Sequence, residues 1–409
     1  MAVRPERQLL IMKFVMARIK PGNKPILFYK SLKGLLMMIL PFVFISSELD
    51  GQLNNNVFYP PPNYSAEKKH DLYFDLTVLG FNRNNEYFNK ISDGYTLFGY
   101  QLNPDIIFFP SEKVLLRAGL FAWKDFGNTD YSRISPTFTV DIEWRSLHFL
   151  FGTLRGSLQH QLIEPIYDFE KVMTDRLENG IQAVLDHGRF YMDFWIDWER
   201  MLYKGDPEQE ELSGGLVTKF RIIDRERYKM EIPLQIFGMH RGGQIDASPL
   251  PLKTTFNTAI GVSGELLFIG NDFFHGIQTD DYLVLYDDLS FEKLDVYNEG
   301  YGAYLNLTLK TKLFDFVVSY WNGNHYISNY GGTLYNSRST TFKHSDYVEP
   351  NRELLIFRLL QNIRVINNLF ITARFEPFYD FHKTRFEFSH GLYVNYRHTF
   401  FVKKIRTEP

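Results

Sequence analysis

Cysteine is absent from the 409 residues, which excludes disulfide staples, thiol catalysis and thiolate metal sites. Apolar runs long enough to cross a bilayer as a helix are lacking too. The run Leu35 to Ile45 (LLMMILPFVFI) falls well short of the roughly 20 residues a spanning helix needs. No interior stretch reads as a linker, although the length would allow two or three soluble domains. A net charge of -3 gives no reason to expect nucleic acid or a bulk acidic partner. No phosphate-binding glycine pattern sits between a strand and a helix, so nucleotide chemistry is not expected. What the chain has in quantity is aromatic side chains, 17% and mostly Phe and Tyr. A membrane barrel places such residues on its lipid face and in its two interfacial girdles.

Residues 1–51 read as a leader. Arg18, Lys20, Lys24, Lys30 and Lys33 precede the apolar run, and Ser46, Ser47 and Gly51 follow it. That order of basic, apolar and small is a secretory signal peptide, with cleavage placed near Gly51 and translation starting as late as Met12 or Met16. Residues 52–70, with Pro60, Pro61 and Pro62, form an irregular periplasmic lead-in. Residues 71–401 are the expected barrel and 402–409 a periplasmic tail.

Along the barrel region apolar and polar side chains alternate. Phe138, Val140, Ile142 and Trp144 oppose Thr139, Asp141, Glu143 and Arg145, and Phe190, Met192, Phe194, Ile196 and Trp198 oppose Asp193, Asp197 and Glu199. Phe386, Phe388, Leu392, Val394, Tyr396 and Phe400 oppose Arg385, Glu387, Ser389, Asn395 and Arg397. Successive strand side chains point to opposite faces, so each segment meets an apolar medium on one side and a polar one on the other. Short turns alternate with long polar connections, as up-and-down threading through a membrane demands. The expected fold is all-β, a single antiparallel barrel of about sixteen strands, or fourteen if Gly180 to Leu185 and Phe274 to Tyr286 are not strands. Its first strand, Asp71 to Gly80, should close on the last, because an open edge cannot exist in lipid.

The segment Gly391 to Phe401 (GLYVNYRHTFF) is similar to the C-terminal assembly signal of Gram-negative outer-membrane barrels, although eight residues follow it. The Phe/Tyr/Asn-rich texture resembles those of the Bacteroidota. The resemblance covers roughly Asp71 to Phe401 and is architectural. It implies the outer membrane as location, with both termini periplasmic, and membrane lipid and the barrel assembly machinery as partners. It transfers no functional residue.

Inward charges segregate on this reading. Asp141, Glu143, Asp193, Asp197 and Glu199 form an acidic wall, and Lys219, Arg221, Arg358, Arg374, Arg385 and Arg397 a basic one, with Glu231 and Glu376 breaking the pattern. Such walls either sustain a transverse field across an open pore or pair across a filled lumen. The connection containing Gly156 to Gly180 carries Leu158, Leu162, Ile166, Phe169 and Met173 at mostly helical spacing, with Pro165 among them. It is either a constriction inside the lumen or, the preferred arrangement, a lid over the rim. Ser157, His160 and Asp168 lie close in sequence without the spacing of a nucleophile elbow. Neither His240 with Asp246 nor His325 with His344 has metal-ligand spacing, and no cofactor or metal is expected. Together these features point to a passive pore for small polar solutes, not an enzyme. The alternatives are a non-conducting scaffold or adhesin acting through its long loops, and a rim hydrolase. With so short a lead-in, an energised, plugged transporter is not expected.

Overall fold

The computed structural model describes Asn55, Phe58 and residues 68–405. The expected leader, most of the lead-in and the last four residues lie outside the described residues. Sixteen strands follow in chain order: β1 (Asp71–Glu86), β2 (Thr96–Ser111), β3 (Val114–Asp125), β4 (Arg133–Trp144), β5 (Leu147–Thr153), β6 (Asn179–His187), β7 (Phe190–Arg200), β8 (Glu211–Asp224), β9 (Tyr228–Arg241), β10 (Lys253–Leu267), β11 (Phe274–Asp288), β12 (Glu299–Thr311), β13 (Asp315–Asn324), β14 (Asn351–Ile366), β15 (Leu369–Asp380) and β16 (Arg385–Lys404). Each pairs antiparallel with its sequence neighbours, and β1 pairs with β16, so the sheet is closed. The two segments weakest in sequence are the full strands β6 and β11, which settles the count at sixteen.

Side-chain alternation explains the wall. On β7, Tyr191, Asp193, Trp195 and Asp197 are buried while Phe194 and Trp198 are exposed. On β16, Tyr393 and Asn395 are buried while Leu392 and Val394 are exposed. The outward faces form an apolar belt, as in a transmembrane β-barrel, and the inward faces are charged and polar. Tight turns join the strands at the end that carries both termini. The two-residue turn Arg145-Ser146 holds Arg145 at φ 60°, the left-handed backbone that two-residue hairpins use because it matches the strand twist.

Besides β16, which pairs on to Lys404 past the expected end of the barrel at Phe401, two features depart from the sequence reading. β1 runs on to Glu86, six residues past Gly80. Asn82, Asn84 and Glu86 break the outward apolar pattern, yet Arg83 and Asn85 on the inward face are buried and bonded, and hold the segment in the sheet. The connection between β5 and β6 is not a lid. It descends into the lumen as a 3-10 turn, Ser157–His160, and one helical turn, Lys171–Thr174. Ile166, Phe169 and Met173 are buried there against the inner wall and the β13–β14 connection. Partners exist inside the barrel for these apolar residues, and at the rim they would face water.

Leu283, exposed on the outer face midway along β11, tests the belt. Replacing it with Arg should cost about 2–4 kcal/mol near the bilayer centre, measured by reversible urea unfolding in lipid vesicles. A cost under about 0.5 kcal/mol, the usual scale for a solvated surface site, would show that this face does not meet lipid.

Candidate functional site

The inward loop is fastened to the wall by alternating charges. Glu170 accepts from Arg83 Nε of β1 at 2.6 Å and from Asn85 Nδ2 at 2.8 Å, and its other oxygen accepts from Tyr95. Glu164, six residues earlier, binds Arg358 of β14. The two arginines are joined by Glu376 of β15, 2.7 Å from Arg83 Nη1 and 3.3 Å from Arg358 Nε. All five side chains except Glu164 are nearly inaccessible to solvent. At such depth each charge requires its partner, since an uncompensated one costs several kcal/mol. Backbone bonds add to the hold: Tyr326 donates to Pro165 O at 2.9 Å, and Gln101 of β2 donates to Met173 O at 2.9 Å. From the other side Phe58 packs edge-on against Phe169 and Tyr393, both at 5.3 Å.

His160 anchors the start of the loop. Its Nδ1 lies 2.8 Å from Asp193 Oδ2 and its Nε2 2.6 Å from Glu178 Oε2, and the ring stacks on Trp195 at 3.6 Å. Burial alone would lower its pKa, but the two carboxylates outweigh it and push the imidazole up to about 10. With both nitrogens donating it has no lone pair for Ser157, and Asp168 is not among its partners. Asp168 instead accepts from the Glu170 backbone N–H. Ser157, His160 and Asp168 therefore do not assemble as a catalytic set.

The remaining wall charges fall as follows. Asp141 meets His148 and Arg155, Asp193 also accepts from Gln182, Asp197 accepts from Asn179 N, and Glu199 accepts from Tyr330. Glu143 is half-buried on the inner face of β4. Arg221 pairs with Asp186 and Glu231, Arg385 with Glu387, and Arg397 with Asp75. Arg374 donates to Asn55 and lies 3.7 Å above the Phe169 ring. Lys219 faces a polar cavity of 510 Å³ below the loop, shared with Glu231, Glu265 and Asp280. His240 bonds Thr254 and Gly242, not Asp246, and His325 stacks on Tyr297.

A second polar group lies on the opposite, lipid-facing side of the wall, across the β1–β16 seam. Asn84 is flanked by Thr96 of β2 on one side and His390 of β16 on the other. Directly opposite residues of an antiparallel pair have Cα atoms about 4.5–5.5 Å apart. Thr96 Oγ1 donates to Asn84 Oδ1 at 2.7 Å, and Asn84 Nδ2 donates to Glu86 Oε1 at 2.6 Å. His390 Nδ1 is buried without a partner, beside Phe388. The polar triplet 82, 84 and 86 and the break at His390 in the apolar face of β16 are its sequence signal. It was missed because polar residues beyond Gly80 read as a loop.

Two outcomes test the fastening. In Arg358→Met, Glu164 loses its counter-ion, and trypsin should cut at Lys171 or Arg176 while the barrel stays folded; the parent chain should stay intact. For His160, a folded pKa above the ordinary 6.5 means that its contribution is complete below about pH 6.5. The contribution declines above that value and is gone once the pH passes about 10. Loop protection should fall across that window in the parent chain and stay flat in His160→Gln.

Among solved structures, similar chains include an OmpT loop L8 deletion mutant, an outer membrane protein of Vibrio cholerae (10% identity, 80% of this chain and 100% of that chain, TM-score 0.48). Others are the outer membrane protein OprD from Pseudomonas aeruginosa (11%, 82% and 96%, 0.47) and OccAB3 of Acinetobacter baumannii (11%, 81% and 100%, 0.44). At these scores nothing about this chain follows from them. No curated protein matches the sequence. A family profile does match, over residues 64–405 and so over the whole barrel. The family is one of enzymes, which overturns the expectation that the chain is not an enzyme. The chain belongs to the lipid A 3'-O-deacylase-type family.

Proposed function

We propose that this outer-membrane barrel hydrolyses an ester-linked acyl chain of a lipid A-like glycolipid, with the termini in the periplasm and the loop-bearing end at the cell surface. The observation that supports this beyond family membership is the Thr96–Asn84–His390 row, with Glu86, on the face that meets lipid. An acylated substrate held in a leaflet reaches that face by lateral diffusion. The sealed His160 group inside the lumen is out of its reach.

On this reading neutral His390 takes a proton from water as the water oxygen attacks the ester carbonyl. The Asn84 amide, held by Glu86, donates to the developing oxyanion. When the C–O bond breaks, the imidazolium returns the proton to the departing sugar oxygen, leaving a free fatty acid and a hydroxyl. Apolar neighbours Phe375 and Phe388, 5.8 Å apart, flank the site with surface suited to acyl chains.

The test is fatty-acid release from purified glycolipid in detergent micelles. His390→Ala and Asn84→Ala should each lower kcat by about 10²-fold or more, the scale of lost acid–base or oxyanion catalysis. His160→Gln should leave kcat within about threefold, well inside that scale. Turnover unaffected by His390→Ala would sink this assignment. A passive pore is the second reading, favoured by the 510 Å³ polar cavity and opposed by the fastened loop. It requires steady conductance in a planar bilayer, with ion selectivity changed by Arg374→Glu.

A further inference from the structure

Three connections at the far end of the barrel crowd together above the β1–β16 seam. Thr340 N donates to Ile91 O at 2.8 Å and Phe342 N to Asp93 Oδ2 at 2.9 Å, tying the β13–β14 connection to the β1–β2 connection. Asn89 Nδ2 donates to Glu387 Oε2 at 2.7 Å, and Lys383 Nζ to Tyr347 OH at 2.9 Å, which adds the β15–β16 hairpin. The surface they share is basic and aromatic. Lys90 and Lys383 hold their ammonium groups 5.4 and 4.9 Å from the centre of one ring, Tyr347. Neither lysine, nor the exposed Lys343, has a carboxylate counter-ion among the described residues. Arg385 is the fourth cation and leaves the buried Glu387 neutralised. Against these stand the exposed Asp93, which accepts from the Phe342 N–H, the exposed Asp346, and the buried Glu349, which accepts from Tyr347 OH at 3.1 Å and is paired with Arg352. Phe342 and Phe88 project beside them, 94% and 71% exposed.

Lys90 and Lys383, held at one ring without carboxylate counter-ions of their own, repel each other, and Phe88 and Phe342 beside them offer apolar surface whose burial is favourable. Both conditions are relieved by a ligand that is anionic at the leaflet surface and apolar below it. We infer that this surface docks the phosphorylated headgroup of the glycolipid substrate and so suspends its acyl esters beside Asn84 and His390 directly beneath. The inference deepens the proposed function and rests on it for the identity of the substrate. The occupant it commits to is a lipid phosphate, since free phosphate would not require the two aromatic side chains.

The probe is the full-length protein with a bisphosphorylated acylated glucosamine disaccharide and its phosphate-free counterpart, each in neutral nanodiscs. Binding is read by co-migration and turnover by fatty-acid release. Lys90→Glu combined with Lys383→Glu should raise KM for the phosphorylated lipid roughly tenfold or more, in line with two surface lysines. It should leave kcat and the phosphate-free KM unchanged, and added salt should erode the parent's preference. If no fatty acid is released but the parent still binds the phosphorylated lipid more tightly and the double variant does not, the docking surface stands while the hydrolytic reading falls. If the parent binds both lipids equally, or the double variant retains the preference, the docking inference is overturned whatever the turnover.

Discussion

Everything in this barrel depends on the ladder between β1 and β16. A bilayer offers no hydrogen bonds, so an unpaired strand edge in lipid leaves a row of N–H and C=O groups at several kcal/mol each. Closure of strand 16 on strand 1 removes both edges at once, and the pairing runs from Asp71 with Lys404 to Glu86 with Phe388. Along the far part of that ladder β1 has no apolar outward face. It survives because Arg83 and Asn85, pointing inward, are held by Glu170. The loop that fills the lumen thus secures the seam, and the seam in turn carries the polar row on the lipid side.

Filling the lumen follows from the same constraint. A closed sheet of sixteen strands encloses more space than its own side chains occupy, and inward arginines such as Arg83 and Arg358 would face it with few partners. The β5–β6 connection supplies Glu164 and Glu170 to them. β5 and β6 have seven and nine residues, against 16 for β1 and β2, so the connection leaves the wall low and enters the lumen without climbing over the rim. On the proposed reading, a rigid, occupied interior fixes the strands that would bear the reacting groups.

The wall was legible in the sequence because strand alternation is a local property. Phe138 to Trp144 and Phe190 to Trp198 declare their faces within a few residues. Glu376, which broke the expected segregation of charge, turns out to join Arg83 to Arg358, a relation spanning 293 residues from Arg83 that no local pattern encodes. The loop was misplaced for a similar reason. Its apolar spacing states that it must be buried, not against what, and the surfaces that receive Ile166 and Phe169 come from distant strands. The polar row at the seam was hidden by its own chemistry, since Asn82, Asn84 and Glu86 are the residues that mark the end of a membrane strand anywhere else.

Asp281 of β11 and His390 of β16 both interrupt the apolar belt, and the contrast between them bears on which is built for reaction. The Asp281 carboxylate has both oxygens occupied, one by Thr279 Oγ1 at 2.9 Å and the other by the Asn306 N–H at 3.1 Å. A lipid-facing carboxylate bonded through both oxygens is held in place by local structure. His390 stands beside an amide and a hydroxyl that are bonded to each other, and its own Nδ1 has no partner. An unmet hydrogen-bonding group in an apolar setting costs about 1–3 kcal/mol. On the proposed reading that cost is recovered when the reacting water supplies the missing bond.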